Sequence, residues 1–115
     1  MGDDTETRVT DPDTGGQKGG KLVRLDLAPV GAMLELGRVY GYGAQKYDEH
    51  NWRKGYAWSL SFAALMRHVM AFWGGENIDP ESGLHHLAHA QWHCQILQTF
   101  GHIRPEKDDR QREGV

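Results

Sequence analysis

The chain has 115 residues, a length typical of one domain, with a formal net charge of −3. It lacks the roughly 18-residue apolar run needed to cross a bilayer and the basic, apolar start of a secretory signal. Its single cysteine, Cys94, excludes an internal disulfide, so we predict a cytoplasmic protein. Seven acidic and seven basic residues balance over positions 21–103, which leaves no basic stripe for duplex nucleic acid. Any anionic partner is therefore expected to be small.

The chain is predicted to divide into an arm, a domain and a tail. Residues 1–20 are polar and acidic, with two Gly-Gly pairs, and are predicted to be a flexible arm. The domain is predicted over residues 21–103, opening with an extended lead-in at 22–27. Residues 104–115 form a charged tail, which is expected to be frayed after Pro105.

Apolar periodicity predicts three helices, and hence an all-α fold. The first should span 29–46, because Pro29 suits a first helical turn. The second should span 59–73 and is apolar on nearly all sides, which is typical of a buried helix. The third should span 84–100 and end at Gly101.

Three histidines of the third predicted helix share one face. His86, His89 and His93 are three and four residues apart, which places them within about 60° of one another on a helix. Apolar Ala90 and Leu97 share that face, so we expect it to point inward. One buried histidine commonly serves only as a hydrogen-bonding core residue, whereas three beside an acidic segment favour a metal or phosphate site.

The segment before that helix is acidic. Glu76, Asp79 and Glu81 offer the oxygen ligands that Mg²⁺ or Mn²⁺ prefers. The alternative is helix capping, because acids near a helix start interact favourably with its positive end. Capping explains Glu81 better than Glu76 and Asp79, which lie further from the helix.

The second helix carries Arg67 and His68 among apolar residues. A buried arginine costs several kcal/mol unless it is paired, so we expect an anion opposite it: Glu35, the acidic segment or a substrate phosphate. Alternatively, the long stem of Arg67 reaches the surface. Glu35 could be a functional carboxylate, or it could simply form an ion pair with Arg38, which follows three residues later on the same predicted helix.

The loop after the first helix contains residues suited to a nucleotide. Lys46 and Lys54 could neutralise phosphates, the Trp52 indole could stack on a base, and Asn51 could bind its edge. The alternative for Trp52 is a packing anchor. The sequence contains no glycine motif of the P-loop or Rossmann kind.

Three runs of the sequence resemble a known family: GGKLVRLDLAP, YGAQKYDEHNWRKG and ALMRHVMAFWGGENIDPESGLHHLAHA. They are similar to the phage dATP/dGTP diphosphohydrolases, MazZ-type members of the MazG-like all-α nucleotide pyrophosphohydrolases. The resemblance covers residues 19–100, in the family's order.

This resemblance implies a compact helical bundle, assembled as a homodimer or homotetramer in the host cytoplasm. It implies a Mg²⁺- or Mn²⁺-dependent hydrolysis of dGTP or dATP to the monophosphate and pyrophosphate, which would adjust phage deoxynucleotide pools. The superfamily binds Mg²⁺ through Glu-x-x-Glu and Glu-x-x-Asp on helices. Here Arg38, three residues after Glu35, stands where the second Glu of the first motif would be, and Glu76 to Asp79 spells the second motif within a loop.

We therefore hypothesise a metal-assisted hydrolase, with two other functions left open. One alternative is a nucleotide-binding sensor without turnover. The other is a histidine–aspartate phosphohydrolase, although no adjacent His-Asp pair exists in the sequence. The candidate residues are Glu35, Glu76, Asp79 and His89 for catalysis; Lys46, Asn51, Trp52, Lys54 and Arg67 for substrate; and Glu35, His68, Glu76, Asp79, His86 and His89 for metal.

Overall fold

The structure is a computed structural model that describes residues 5–112. It is mostly helical, as predicted, but it also contains a small two-stranded sheet, so the prediction of a purely all-α fold is corrected. No helix among the described residues combines the length and apolarity needed to cross a bilayer. The elements are β1 (Glu6–Thr10), β2 (Gln17–Lys21), α1 (Val30–Lys46), α2 (Trp58–Trp73) and α3 (His86–Ile103), with 3₁₀ turns at Leu25–Leu27, Asn51–Lys54 and Pro105–Lys107.

The two strands form an antiparallel hairpin within the segment predicted to be a flexible arm. Its turn is stabilised by Asp11, whose carboxylate accepts hydrogen bonds from the backbone N–H groups of Asp13 and Thr14 at 2.8 and 2.9 Å. Gly15 adopts a φ of +75°, a conformation that glycine accepts without strain. The strands escaped prediction because almost every side chain in them is exposed, so no alternation of buried and exposed residues marks them.

The chain divides into a unit ending at Val30 and a second unit from Gly31. In the first unit, the lead-in after the hairpin was predicted to be extended. It contains instead the 3₁₀ turn Leu25–Leu27, closed by a hydrogen bond from the Ala28 N–H to the Leu25 carbonyl. The three helices belong to the second unit, apart from the first residue of α1.

Helix α3 begins two residues later than predicted, and it continues through Gly101, its predicted end, to Ile103. His85 is its N-cap, and its Nδ1 accepts a hydrogen bond from the Leu87 N–H at 3.0 Å. The backbone of His85 also pairs with Ile78 in an isolated β-bridge, which holds Leu84 and His85 outside the helix. The apolar core of the described residues consists of Leu36, Val39, Ala88, Ala90, Ile96 and Phe100.

Helix α2 is not buried on all sides, contrary to the prediction from its composition. Its only buried residue is Ser61, and one of its sides is open to solvent. The other two helices of the chain cover only part of the surface of α2. The exposed fractions are 56% for Phe62, 40% for Met66, 61% for Met70 and 83% for Trp73.

The tail, expected to be frayed after Pro105, contacts the start of α2. The carboxylate of Asp109 accepts hydrogen bonds from the backbone N–H and the hydroxyl of Ser59. The indole N–H of Trp58 donates to the Arg104 carbonyl at 3.0 Å. The Arg104 side chain packs closely against Gly55: a Cβ added at Gly55 would lie 2.6 Å from Cδ of Arg104. The tail therefore caps α2 through Asp109.

Candidate active site

A cleft of about 450 Å³ lies among α1, α2, α3 and the acidic segment that precedes α3. Helix α1 contributes Val39, Tyr42 and Lys46, which share one helix face. Helices α2 and α3 contribute histidines, and the acidic segment contributes carboxylates. The cleft thus combines apolar, cationic, acidic and imidazole groups.

Imidazoles from two helices are stacked in this cleft. The ring of His68, on α2, lies 4.5 Å from that of His89, on α3, with an interplanar angle of 6°. The ring of His93 lies 6.1 Å from that of His68, with an interplanar angle of 24°. The prediction that the α3 histidines face inward is confirmed, because His86 and His89 are buried and His93 is half-buried.

These stacked imidazoles are uncharged at neutral pH. Burial lowers the pKa of His68 to about 4, and the neighbouring imidazoles and Arg67 add to the effect. Burial likewise lowers the pKa of His93 to about 4. The pKa of His89 is also lowered, chiefly by burial, although Asp79 opposes the shift. Uncharged imidazoles can accept a proton or a hydrogen bond.

A hydrogen-bonded chain links the acidic segment to α2 through His86. Nε2 of His86 lies 2.6 Å from Oε1 of Glu76, and its Nδ1 lies 2.9 Å from Nδ1 of His68. The His86 side chain is 6% exposed, whereas that of Glu76 is 54% exposed. The chain therefore runs from solvent, through a buried ring, to the cleft.

A second network holds Asp79, Ser82 and His89. The Ser82 hydroxyl donates to Asp79 at 3.2 Å and lies 2.7 Å from Nε2 of His89. Burial alone would raise the pKa of Asp79, but hydrogen bonds from the Glu81 N–H and the Ser82 hydroxyl, together with the nearby imidazoles, hold it below its usual value. Asp79 is thus an ionised carboxylate at neutral pH.

A third network fixes His93. Its Nδ1 lies 3.0 Å from the hydroxyl of Ser61, which lies 2.6 Å from the Tyr56 hydroxyl. Ser61 is 1% exposed, so its hydroxyl is satisfied entirely by these two partners. The indole of Trp92 meets the His93 ring edge-on at 4.9 Å.

Two cations line the cleft. Nζ of Lys46 lies 3.7 Å from Oε1 of Glu81 and also approaches the rings of Tyr42 and Tyr47. Arg67 is exposed and forms no ion pair with any residue of the described part of the chain. The anion expected opposite Arg67 is therefore not a side chain among these residues, and the guanidinium is available to a ligand.

The predicted site residues divide into two groups. Six of them line the cleft: Lys46, Arg67, His68, Asp79, His86 and His89. Glu76 joins the site through His86, whereas Glu35 lies about one helical turn before Val39 and outside the cleft lining.

Asn51, Trp52 and Lys54 also stand outside the cleft lining. They lie in the 3₁₀ turn Asn51–Lys54, where Trp52 packs 6.2 Å from the buried ring of Phe100. The guanidinium of Arg53 covers the Trp52 ring at 4.5 Å. This position, against a buried ring, is the one that the packing-anchor alternative predicts for Trp52.

The six predicted metal ligands do not converge on one point. Among residues 5–112, no group of three or more His, Cys, Asp or Glu side chains has an arrangement that could hold a metal ion. Both ring nitrogens of His86 are occupied by Glu76 and His68, so His86 could bind a metal only by breaking those bonds. We assign no resident metal site to this set.

Several residues that line the cleft or bond to its side chains were not predicted from the sequence. Tyr42 shares a helix face with Lys46 and could have been found by its spacing, and Ser82 could have been found as the hydroxyl three residues after Asp79. Tyr47 and Trp92 carry no signal that distinguishes them from ordinary aromatic packing residues. His93 was recognised as inward-facing but was not assigned a role.

Comparison with known proteins gives this site a family context. A family model described as dATP/dGTP diphosphohydrolase, N-terminal, matches residues 12–110. The chain is 37% identical over 76 residues to a dATP/dGTP diphosphohydrolase of Salmonella phage PMBT28. The match covers 66% of this chain and 26% of that relative, so the chain spans about a quarter of the relative's length. No solved structure matches the chain.

Proposed function

Because the chain belongs to the dATP/dGTP diphosphohydrolase N-terminal family, we propose that it hydrolyses purine deoxynucleoside triphosphates to the monophosphate and pyrophosphate. The Salmonella phage relative carries the corresponding name, and a role in phage deoxynucleotide pools is part of the proposal. The observation that carries it is the cleft of about 450 Å³, in which unpaired Arg67 faces the ligand space beside uncharged imidazoles. Its volume lies within the usual range for small-molecule sites.

The two cations are proposed to bind the phosphates. Arg67 has no side-chain partner within the described residues, so it can donate two parallel hydrogen bonds to phosphate oxygens. Lys46 can exchange its long 3.7 Å contact with Glu81 for a phosphate. The rings of Tyr42, Tyr47 and Trp92 are the aromatic surfaces of the cleft and are proposed to contact the purine.

A divalent cation, Mg²⁺ or Mn²⁺, is proposed to enter as part of the substrate, bound to the triphosphate oxygens. Such a cation neutralises charge that develops on the phosphates during hydrolysis. Asp79 is the half-buried carboxylate of the cleft, kept ionised by its hydrogen bonds, and is proposed to face the metal–nucleotide complex. Removing the cation with a chelator is expected to abolish turnover.

The exposed apolar face of α2 is proposed to mediate assembly into a homodimer or homotetramer. This face consists of Phe62, Met66, Met70 and Trp73, which are all exposed and recur at helical spacing. Large contiguous apolar surfaces are uncommon on monomeric proteins and mark interaction sites. A second copy of the same face is a self-complementary partner.

The test of this function is a panel of deoxynucleoside and ribonucleoside triphosphates incubated with Mg²⁺ or Mn²⁺, with the products separated by chromatography. The expected products are dGMP or dAMP together with pyrophosphate. Release of triphosphate and free deoxynucleoside would instead support a histidine–aspartate phosphohydrolase. Tight nucleotide binding without turnover would support a sensor. An Asp79→Asn variant is expected to lose most turnover.

A further inference from the structure

We propose that Glu76, His86 and His68 form a proton relay, in which Nε2 of His68 takes the proton from the water that attacks the α-phosphorus. This inference rests on the proposed hydrolysis and assigns the proton acceptor within it. It depends on three observations: the hydrogen-bond order of the chain, the open ring nitrogen at its end, and the carboxylate at its start.

The hydrogen bonds determine the tautomers of both imidazoles. The Glu76 carboxylate can only accept, so Nε2 of His86 carries the proton across their 2.6 Å contact. In an uncharged His86 ring, Nδ1 is then a lone-pair acceptor. It lies 2.9 Å from Nδ1 of His68, which must therefore donate. The remaining nitrogen of uncharged His68, Nε2, is left with its lone pair.

That lone pair is open to the cleft. No buried side-chain nitrogen or oxygen among residues 5–112 lacks a hydrogen-bond partner, and Nε2 of His68 has no partner among them. Nε2 must therefore reach solvent, and His68 lines the cleft together with Arg67, the unpaired cation proposed to bind phosphate. A water held beside that phosphate can meet Nε2.

The relay also moves the positive charge from His68, which is a weak base, to His86, which lies beside a carboxylate. His68 alone would be a weak base, because burial and its neighbours lower its pKa to about 4. Transfer of the Nδ1 proton to His86 places the positive charge on the ring that is 2.6 Å from the Glu76 carboxylate. An ion pair of this kind stabilises an imidazolium far better than the stacked histidines around His68 can.

The proposed step is a displacement by water at the α-phosphorus. An oxygen lone pair of water forms a bond to the α-phosphorus, and the bond from that phosphorus to the α–β bridging oxygen breaks, so pyrophosphate leaves with the electron pair. The water proton goes to Nε2 of His68, and the Nδ1 proton of His68 goes to Nδ1 of His86. The imidazolium of His86 holds its charge against Glu76 until the product leaves. The proton then returns from Nδ1 of His86 to Nδ1 of His68, and Nε2 of His68 releases its proton to solvent, which restores both tautomers.

The other cleft histidines lack such a connection. Nε2 of His89 contacts Ser82, whose own hydroxyl proton is directed to Asp79, so no imidazole lies behind it. Nδ1 of His93 contacts Ser61, which leads only to the neutral phenol of Tyr56. Within residues 5–112, His68 is the cleft imidazole backed by a second imidazole and a carboxylate.

The first test measures the tautomers without any turnover. Long-range ¹H–¹⁵N correlation spectra of the full chain at neutral pH, without nucleotide, are expected to show His68 protonated on Nδ1 and His86 protonated on Nε2. A His68 ring protonated on Nε2 in these spectra would overturn the relay. Because this result is independent of catalysis, it holds even if the proposed hydrolysis is wrong.

The second test measures the proton transfer. His68→Ala is expected to lower kcat by about 10²- to 10⁴-fold, the usual contribution of a general base, with a much smaller change in KM. Added imidazole should restore part of the lost kcat in this variant. Glu76→Gln retains a hydrogen-bond acceptor but removes the charge, so it should lower kcat while the His86 tautomer is retained.

The matched control is His102→Gln, which replaces an exposed histidine near the end of α3 and should leave kcat unchanged. Circular dichroism checks the fold of each variant. A hydrolytic wild type whose His68→Ala variant keeps its full kcat would overturn the relay while sparing the function. A wild type that turns over no nucleotide would overturn the function, and the spectra would still decide whether the hydrogen-bond order is correct.

Discussion

At the scale of single residues, Arg67 is a cation of the cleft that forms no ion pair with the described residues. It is exposed on the cleft and unpaired there. Arg67→Gln is therefore expected to raise KM for dGTP or dATP by about 10- to 100-fold, the loss of one or two hydrogen bonds to a charged phosphate. The free energy of unfolding should hardly change, because no intramolecular ion pair is lost.

Steady-state kinetics and urea denaturation check this prediction. Lys107→Gln is the matched control, since it removes an exposed cation from the 3₁₀ turn Pro105–Lys107, away from the cleft lining. If Arg67→Gln left KM at the wild-type value, the phosphates would have to bind elsewhere.

Trp52 is expected to contribute to stability rather than to substrate affinity. Its ring packs against Phe100, which is 0% exposed, and lies outside the cleft lining. Trp52→Ala should lower the free energy of unfolding by about 1–3 kcal/mol, less than for a fully buried aromatic residue. Urea denaturation measures this loss, and nucleotide titration measures affinity. Weaker nucleotide binding with unchanged stability would reinstate Trp52 as a base-stacking residue.

At the scale of elements, the N-terminus of α2 depends on a residue from the tail. Helix α2 has no side-chain cap from its own N-cap residue, Ala57, and Asp109 bonds the N–H and hydroxyl of Ser59 instead. Asp109→Ala should lower the melting temperature by a few degrees, because free N–H groups at a helix start lose their acceptor. Thermal denaturation followed by circular dichroism measures it, with the exposed residue change Gln111→Ala as control.

The contact between α2 and α3 should weaken in acid. The pKa of both His68 and His93 falls from 6.5 to about 4 on folding, chiefly through burial. As the pH falls below 6.5, the unfolded chain binds protons that the folded chain excludes, so stability is present above pH 6.5 and is lost towards pH 4.

Urea denaturation at a series of pH values between 7 and 4 measures this loss as a falling free energy of unfolding. The His93→Gln variant should show a shallower dependence, since one of the two titrating groups is removed. An equally steep dependence in that variant would assign the acid sensitivity to other groups.

At the scale of the whole molecule, the apolar face of α2 predicts self-association. A charge placed on it, as in Met70→Glu, should reduce the assembled species seen in sedimentation velocity, because burying an unpaired carboxylate costs far more than the methionine contact gains. Gln98→Glu is the matched control, which adds the same charge to an exposed position of α3. A Met70→Glu protein with the wild-type sedimentation coefficient would argue against this interface.

Much of the helical framework was predictable because helix ends and faces are local properties. The predicted bounds of the first two helices, 29–46 and 59–73, agree with α1 and α2 to within a residue. The three-and-four spacing of His86, His89 and His93 predicted their common inward face. The hairpin was not predictable from apolar pattern, because its stability comes from backbone pairing and the Asp11 turn rather than from burial.

The amino-acid sequence by itself determined which side chains share a helix face, where α1 and α2 begin and end, and which family the chain resembles. Only the tertiary structure decided which faces meet. The 2.9 Å contact between His68 and His86 joins residues 18 positions apart, and Trp52 packs against Phe100, outside the cleft lining. Helical periodicity carries no information about such pairings, because they depend on the angle and separation of helices that the loops and buried surfaces set together.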